Sequence, residues 1–416
     1  MYQWTDLVPV YNLTTMKHDV RNTSKFMITA LAVGHSVFHW ILQSFVVVLP
    51  EIQSAFQLSA VGAGGILSAR ELASGAVRLP GGVLSDVLRK HWGLLLAACL
   101  LIAGCGSLAI GLSPFYGVLL VGVALVAMAH SLWHLPSSAA LSYHFPDKRG
   151  LALALHGVGG SVGDVAGPLM TGLLLVVVTW QGILSVYAVI PIVLALCALW
   201  AIKNIGRISA EDQSSNSKES RPKMTARLLT HPTLWGITVV RGLRAMALVA
   251  LLTTIPLYLE HDLGMNPFNR GLHIGLLIAI GLAAKPLAGH LSDRFSRKKV
   301  MVPGLAWSCA MALLMVPFND GMSLSIVIVL IGLFLYPDQP ILTAATLEIV
   351  GRQVSATALG LVTFASFIMS AISPLIAGGI YQTLGMDSAM YFVALLFGVA
   401  TLIMAGLNLT PRTDQL

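Results

Sequence analysis

The sequence predicts an all-α membrane protein: twelve transmembrane helices in two six-helix bundles related by pseudo-two-fold symmetry. Three observations lead there. Charged residues make up only 10% of 416 and apolar residues 56%, whereas a soluble protein carries roughly 25% charge. Twelve apolar stretches come near or exceed the roughly 20 residues a helix needs to cross a bilayer core of about 30 Å. One long polar run divides those stretches six and six, and motifs repeat across it. The 25 basic and 18 acidic side chains are too few to cover soluble domains of this length. That argues against a soluble enzyme, a nucleic-acid binder and a disordered chain.

The first stretch, 26–49, follows a polar lead and is not expected to be a cleaved signal peptide, being too long for an h-region and lacking an A-x-A site after it. The second, 59–79, carries Arg70 and Glu71 midway. The third is 93–113. The fourth, 117–141, holds His130 and His134. The fifth, 151–178, is glycine-rich and contains Asp164 and Pro168. The sixth is 183–202. After the polar run, 233–258 carries Arg241 and Arg244, and 269–287 and 300–317 follow. The tenth, 323–345, contains Tyr336, Pro337, Asp338 and Pro340, and 356–383 and 389–409 complete the set. Cys99, Cys105, Cys197 and Cys309 sit in apolar runs without C-x-x-C spacing, as small hydrophobes do.

The expected organisation is an N-terminal segment 1–25, a first bundle 26–202, a flexible linker 203–232, a second bundle 233–409 and a tail 410–416. Basic residues set the orientation. With both termini and the linker in the cytoplasm, most of the 25 basic residues face inward, among them Lys25, Arg89, Lys90, Lys148, Arg149 and Arg297 to Lys299, and only Arg270 falls near the outer face. Outer loops carry Glu51, Glu260, Asp262, Asp320 and Asp387. The net charge of +7 is therefore a topology signal and not a nucleic-acid footprint.

Two motifs repeat. RLPGGVLSDVLRK (78–90) follows the second stretch and KPLAGHLSDRFSRKK (285–299) overlaps the end of the eighth. Aligning Asp86 with Asp293, an offset of 207, matches Arg78 with Lys285, Gly82 with Gly289 and Ser85 with Ser292. GPLMTG (167–172) and SPLIAG (373–378) repeat at an offset of 206. Two six-helix halves in the same orientation are a transporter architecture, with the substrate site between them near mid-membrane.

On these residues the chain resembles the major facilitator superfamily. GGVLSDVLRK (81–90) is similar to that family's loop signature between its second and third helices, with Val87 and Leu88 departing from it. GDVAGPLMTG (163–172) resembles its exporter motif of the fifth helix, with Thr171 in place of a Gly. QSFVVVLPEI after His35, SLWHLPSS (131–138) and RGLALALHGVGGSVGDVAGPL (149–169) resemble the fosmidomycin-resistance-like group, which tends to place an Asp where this chain has His39. The resemblance implies that Gly82, Asp86 and Arg89, with Gly289, Asp293 and Arg294 in the second half, form a cytoplasmic latch closed when the transporter opens outward. A solvated loop that only sets topology is the alternative. It also implies exporter polarity for Gly163, Gly167, Pro168 and Gly172, although close helix packing alone explains a smooth glycine face.

Ionisable groups at membrane depth cost several kcal/mol on insertion scales and are functional hypotheses by default. Six lie there: Arg70, Glu71, Asp164, Arg241, Arg244 and Asp338. Helix neighbours point about 100° apart, so Arg70 and Glu71 need not pair. Arg241 and Arg244 are three apart and share a face, an arrangement that suits phosphate, phosphonate or carboxylate. The resemblance places the first, fourth, seventh and tenth helices at the cavity. Arg70, Arg241, Arg244, His35, His39, His134, Trp40 and Tyr336 are substrate candidates. Buried ion pairing between helices is the competing reading of the charges.

His35 and His39, and His130 and His134, are i, i+4 pairs, and His156 lies on the fifth stretch. Such rings share a face and titrate near neutral pH. Glu71, Asp164, Asp338, His35, His39, His130 and His134 are the proton-coupling candidates. Packing or hydrogen bonding between helices is the competing reading of these rings. They could also bind a transition metal, but no Cys or carboxylate shares the i, i+4 pattern, so no metal is expected, and no cofactor beyond the proton gradient. The chain is not expected to be an enzyme, since H-E-x-x-H, G-x-S-x-G and nucleotide motifs are lacking. The expected function is proton-coupled export of a small organic solute, anionic or antibiotic-like, by alternating access. The expected setting is the inner membrane, as a monomer with solute, protons and lipid as its partners. The alternative is a proton-coupled anion uptake symporter.

Overall fold

The computed structural model describes residues 21, 23–203, 205, 206, 230–350 and 355–409. Most of the expected N-terminal segment and linker, and the tail 410–416, lie outside the described residues. The described residues form helices in the order α1 (Ser24–Val47), α2 (Leu49–Ala55), α3 (Ala60–Val87), α4 (Trp92–Gly111), α5 (Tyr116–His144), α6 (Arg149–Leu174), α7 (Trp180–Ala201), α8 (Pro232–His261), α9 (Pro267–Phe295), α10 (Arg297–Leu314), α11 (Gly321–Leu335), α12 (Asp338–Val350) and α13 (Ser355–Gly406). Gly385, at φ +80°, breaks α13 into two arms; this left-handed backbone suits a residue without Cβ. Long apolar helices α1, α4, α5, α7, α8 and α9, the α11–α12 pair and α13 meet membrane-crossing length and composition. With the two arms of α13 counted separately, and with the less apolar α3, α6 and α10, the passes number twelve, as the sequence predicts.

Polar side chains start these helices where backbone N–H groups lack partners. Thr23, Ser59, Thr179, Asn266 and Ser296 each accept from a first-turn N–H of α1, α3, α7, α9 and α10. Pro232 and Pro267 open α8 and α9, where the missing N–H costs nothing.

The expected tenth helix, 323–345, is broken at Tyr336–Pro337 into α11 and α12. Pro337 supplies no N–H to the helical ladder, and its ring clashes with the preceding turn. The Leu335 carbonyl at the break accepts instead from the Arg244 guanidinium of α8.

The two halves meet along small residues related by the repeat. A Cβ on Gly64 of α3 would run into the Pro374 carbonyl of α13, and one on Gly271 of α9 would meet the Pro168 carbonyl of α6. Gly378 likewise lies against the Ala60 carbonyl and Gly172 against the Pro267 carbonyl. Each contact maps onto its counterpart through the same offsets of 206 and 207, so the sequence repeat is a repeat of helix contacts between the halves. Within the first half, Gly159, Gly163 and Gly167 of α6 lie against the backbone carbonyls of Ala32, Ser36 and Trp40 on α1. That close approach sets the register of α1 on α6 and fixes which of their polar residues face each other.

Candidate functional site

The α1–α6 register brings Asp164 opposite His39. His39 Nδ1 lies 2.7 Å from Asp164 Oδ1, and Gln43 Nε2 donates to the same oxygen at 3.1 Å. From His39 the contacts branch. Its Nε2 is 2.9 Å from His35 Nε2 and 3.2 Å from His130 Nε2, and His130 Nε2 is 3.1 Å from His134 Nε2. His35 Nδ1 faces the His156 carbonyl at 2.9 Å, and the two rings stack at 4.2 Å. The structure thus gathers His35, His39, His130, His134 and Asp164 into one network spanning α1, α5 and α6. Trp40, one residue on from His39, stands edge-on to Tyr187 at 5.6 Å.

The second half contributes charge. Arg244 Nε donates to Asp338 Oδ2 at 2.5 Å, and both side chains are almost fully buried. Arg241, on the same face of α8, donates to the neutral Thr343 hydroxyl at 3.1 Å. The two arginines share a face as expected, but they differ in role: Arg244 is neutralised by Asp338, and Arg241 has a hydroxyl. The Tyr336 hydroxyl is buried without a hydrogen-bond partner among the described residues.

Arg70 and Glu71 pair, at 3.1 Å, although helix neighbours need not. Both side chains are long enough to curl back along α3 toward each other. Glu71 also accepts from Ser370 of α13 at 2.9 Å, so its charge crosses between the halves.

One residue not selected from the sequence belongs here. Lys285 of α9 lies within electrostatic range of Asp164 in the first half and of Arg244 and Asp338 in its own. The sequence places it inside the eighth stretch, 269–287, and as the repeat partner of Arg78. Arg78 itself stands over the Phe367 ring of the second half at 5.5 Å. Arg78 thus contacts the opposite half, while its repeat counterpart Lys285 lies within electrostatic range of Asp164 there.

At the acidic end of the bundle, Arg270 pairs with both Glu51 from the first turn of α2 and Glu260 from the end of α8. Its side chain is 0% exposed, so it is a clamp between the halves and not the stray outer-loop charge suggested by its position in the sequence. His261 reaches Gln53 at 2.8 Å beside it.

At the basic end, the loop residues stay within their own halves. Asp86 is exposed and makes no ion pair among the described residues. Arg89 stacks over Tyr143 at 5.1 Å. Asp293 pairs with Arg297, one helical turn away, and Arg297 also binds Glu348 at 2.8 Å. Arg294 stands over the Phe295 ring at 5.4 Å. A Cβ on Gly82 or Gly289 would meet open space.

The sequence model of the family described as Major Facilitator Superfamily matches residues 31–284 and 240–415. The chain belongs to the Major Facilitator Superfamily. It is similar to the fosmidomycin resistance protein of Escherichia coli, with 23% identity over 316 residues covering 75% of this chain and 76% of that protein. It is also similar to the hexuronate transporter of Escherichia coli, with 22% identity over 387 residues covering 86% and 88% of the two chains. Among solved structures, a bacterial homolog of the human lysosomal transporter Spinster, in an inward-facing and unoccupied conformation, superposes with a TM-score of 0.77 at 15% identity, covering 94% of this chain and 97% of the other. The superfamily's architecture is the predicted one, and these relatives agree with secondary transport rather than enzymatic catalysis.

Proposed function

We propose that this superfamily member exports a small organic anion across the inner membrane in exchange for protons. The observation that supports this best is the continuous chain of titratable side chains from Asp164 through His39 to His35, His130 and His134, set across the interface from Lys285 and the Arg244–Asp338 pair. Histidine changes charge near physiological pH, and a carboxylate partner couples that change to the charge of the cavity. Arg241 and Lys285 leave the second-half wall with positive charge that Asp338 does not cancel, which suits an anionic solute.

Basic residues favour the cytoplasmic side, so we take the basic end and both termini as cytoplasmic. The Glu51–Arg270–Glu260 clamp then seals the outer side, with the cytoplasmic latch disengaged. In alternating access the clamp opens as Asp86 and Asp293 engage the opposite half. Export is favoured by the glycine pattern of α6 and by similarity to a protein named for fosmidomycin resistance. Anion uptake with protons is the second reading. Relatives named as hexuronate and nitrate transporters favour it, together with the same Arg241.

Purified protein in vesicles with an imposed pH gradient tests the proposal. Small carboxylates and phosphonates are screened for flux. Movement opposite to the proton gradient supports export, movement with it promotes the symport reading, and flux indifferent to the gradient rejects both.

A further inference from the structure

We propose that the first bundle holds a site for one divalent transition-metal cation of the zinc class, formed by the Nε2 atoms of His35, His39, His130 and His134. The site stands on its own geometry; a bound cation would take up the Nε2 atoms of the proton chain, so proton relay through these rings belongs to the metal-free protein.

The four ligand atoms lie within 4.8 Å of one another, and successive contacts between them measure 2.9, 3.2 and 3.1 Å. Zinc–imidazole bonds of about 2.0–2.1 Å in a tetrahedron place their nitrogens roughly 3.3 Å apart. Three of the separations are therefore close to coordination spacing before any ion binds, and the rest, all within 4.8 Å, need only a small contraction. They come from two helices at i, i+4, so each helix offers a two-toothed bite.

The tautomers point the same way. His35 Nδ1 faces the His156 carbonyl and His39 Nδ1 faces the Asp164 carboxylate. A carbonyl and an ionised carboxylate only accept, so both Nδ1 atoms carry hydrogen. In neutral rings this leaves both Nε2 atoms as lone pairs, and they face each other at 2.9 Å. Two lone pairs at that distance repel unless a cation lies between them. A metal-bound histidine almost always donates its other ring N–H to a carboxylate or a backbone carbonyl; here one α1 histidine has each. A single proton bridges only two of the four nitrogens, whereas a four-coordinate cation engages all of them. Imidazole donors suit zinc, copper and nickel.

His35 is buried, while His39, His130 and His134 keep partial access, which gives an ion a way in. Asp164 offsets part of the added charge without being a ligand. The sequence offered no carboxylate at the i, i+4 spacing; the fold supplies it from α6.

The test uses the purified full chain in detergent, stripped with chelator and titrated with Co²⁺ and then Zn²⁺. One Co²⁺ per chain with the intense visible bands of tetrahedral coordination, displaced by one Zn²⁺, is the expected result. His39→Ala and the His130→Gln/His134→Gln double variant lose those bands. Asp164→Asn, acting through His39, weakens binding by about ten- to a hundredfold, while His290→Gln at the exposed rim leaves it unchanged. Elution as a monodisperse species shows that each variant is folded. Octahedral Co²⁺, no stoichiometric binding, or binding unchanged in the double variant overturns the proposal. Flux measured in metal-free buffer separates the two ideas: proton-driven flux with no cobalt binding sinks only the metal site, and tetrahedral cobalt with proton-independent flux sinks only the coupling.

Discussion

Arg270 at the start of α9 pairs with Glu51 in the first turn of α2, 219 residues away in sequence, and holds the two halves together at the acidic end of the bundle. Its guanidinium is fully buried and also meets Glu260. Removing one partner of a buried pair costs about 3–5 kcal/mol because the other charge is left behind. Arg270→Ala is therefore expected to lower thermal stability and to expose the acidic end. A cysteine placed at Gln53 should react faster with a membrane-impermeant thiol reagent in that background. Unchanged labelling would mean that Arg270 is not the clamp.

Arg241 and Arg244 should part company on mutation. Arg244→Ala strands Asp338, which is 1% exposed, and is expected to destabilise the fold by several kcal/mol. Arg241→Ala removes one hydrogen bond to a hydroxyl, worth about 1–3 kcal/mol at a charged donor, and should mainly weaken solute binding. Thermal unfolding alongside flux separates the two. Equal loss of stability in both variants would put Arg241 in the scaffold.

Gly163 tests the register on which the histidine network depends. A side chain there collides with the Ser36 carbonyl of α1, and overpacking of this kind typically costs about 1–3 kcal/mol. Gly163→Val is expected to lower stability and abolish flux together, since α1 must shift away from Asp164. Gly289→Ala meets open space and should leave stability intact while slowing turnover, because the latch closes only in the opposite state. Full turnover in Gly289→Ala would remove that glycine from the latch.

Asp86→Asn carries the same logic. It is expected to insert and fold normally, since Asp86 is exposed, and yet to fail in transport. Wild-type flux in this variant would leave the loop as a topology signal only.

Much of the fold was legible because membrane helices are set by local properties: length, apolarity, basic flanks and a repeat at fixed offset. The i, i+4 histidine pairs were legible for the same reason. What the sequence did not reveal is tertiary. That Asp164 meets His39 depends on how closely Gly163 lets α6 approach α1. That Arg270 is buried depends on two acids from different halves. Lys285 lies inside the eighth stretch in the sequence, but only the fold brings it within electrostatic range of Asp164. The sequence reads 323–345 as one helix through Pro337 and Pro340, and only the fold shows the break there and Arg244 capping the Leu335 carbonyl. Arg70 and Glu71 pair because side-chain length outweighs the helical angle between them.

The central claim is that solute movement is driven by protons through the Asp164–His39 network. Vesicles with an acidic lumen, given small carboxylates and phosphonates outside, test it most directly. The expected result is solute accumulation in exchange for lumenal protons, abolished by a protonophore and by Asp164→Asn. Accumulation that persists after the gradient is collapsed, or that is equal in Asp164→Asn, would contradict it.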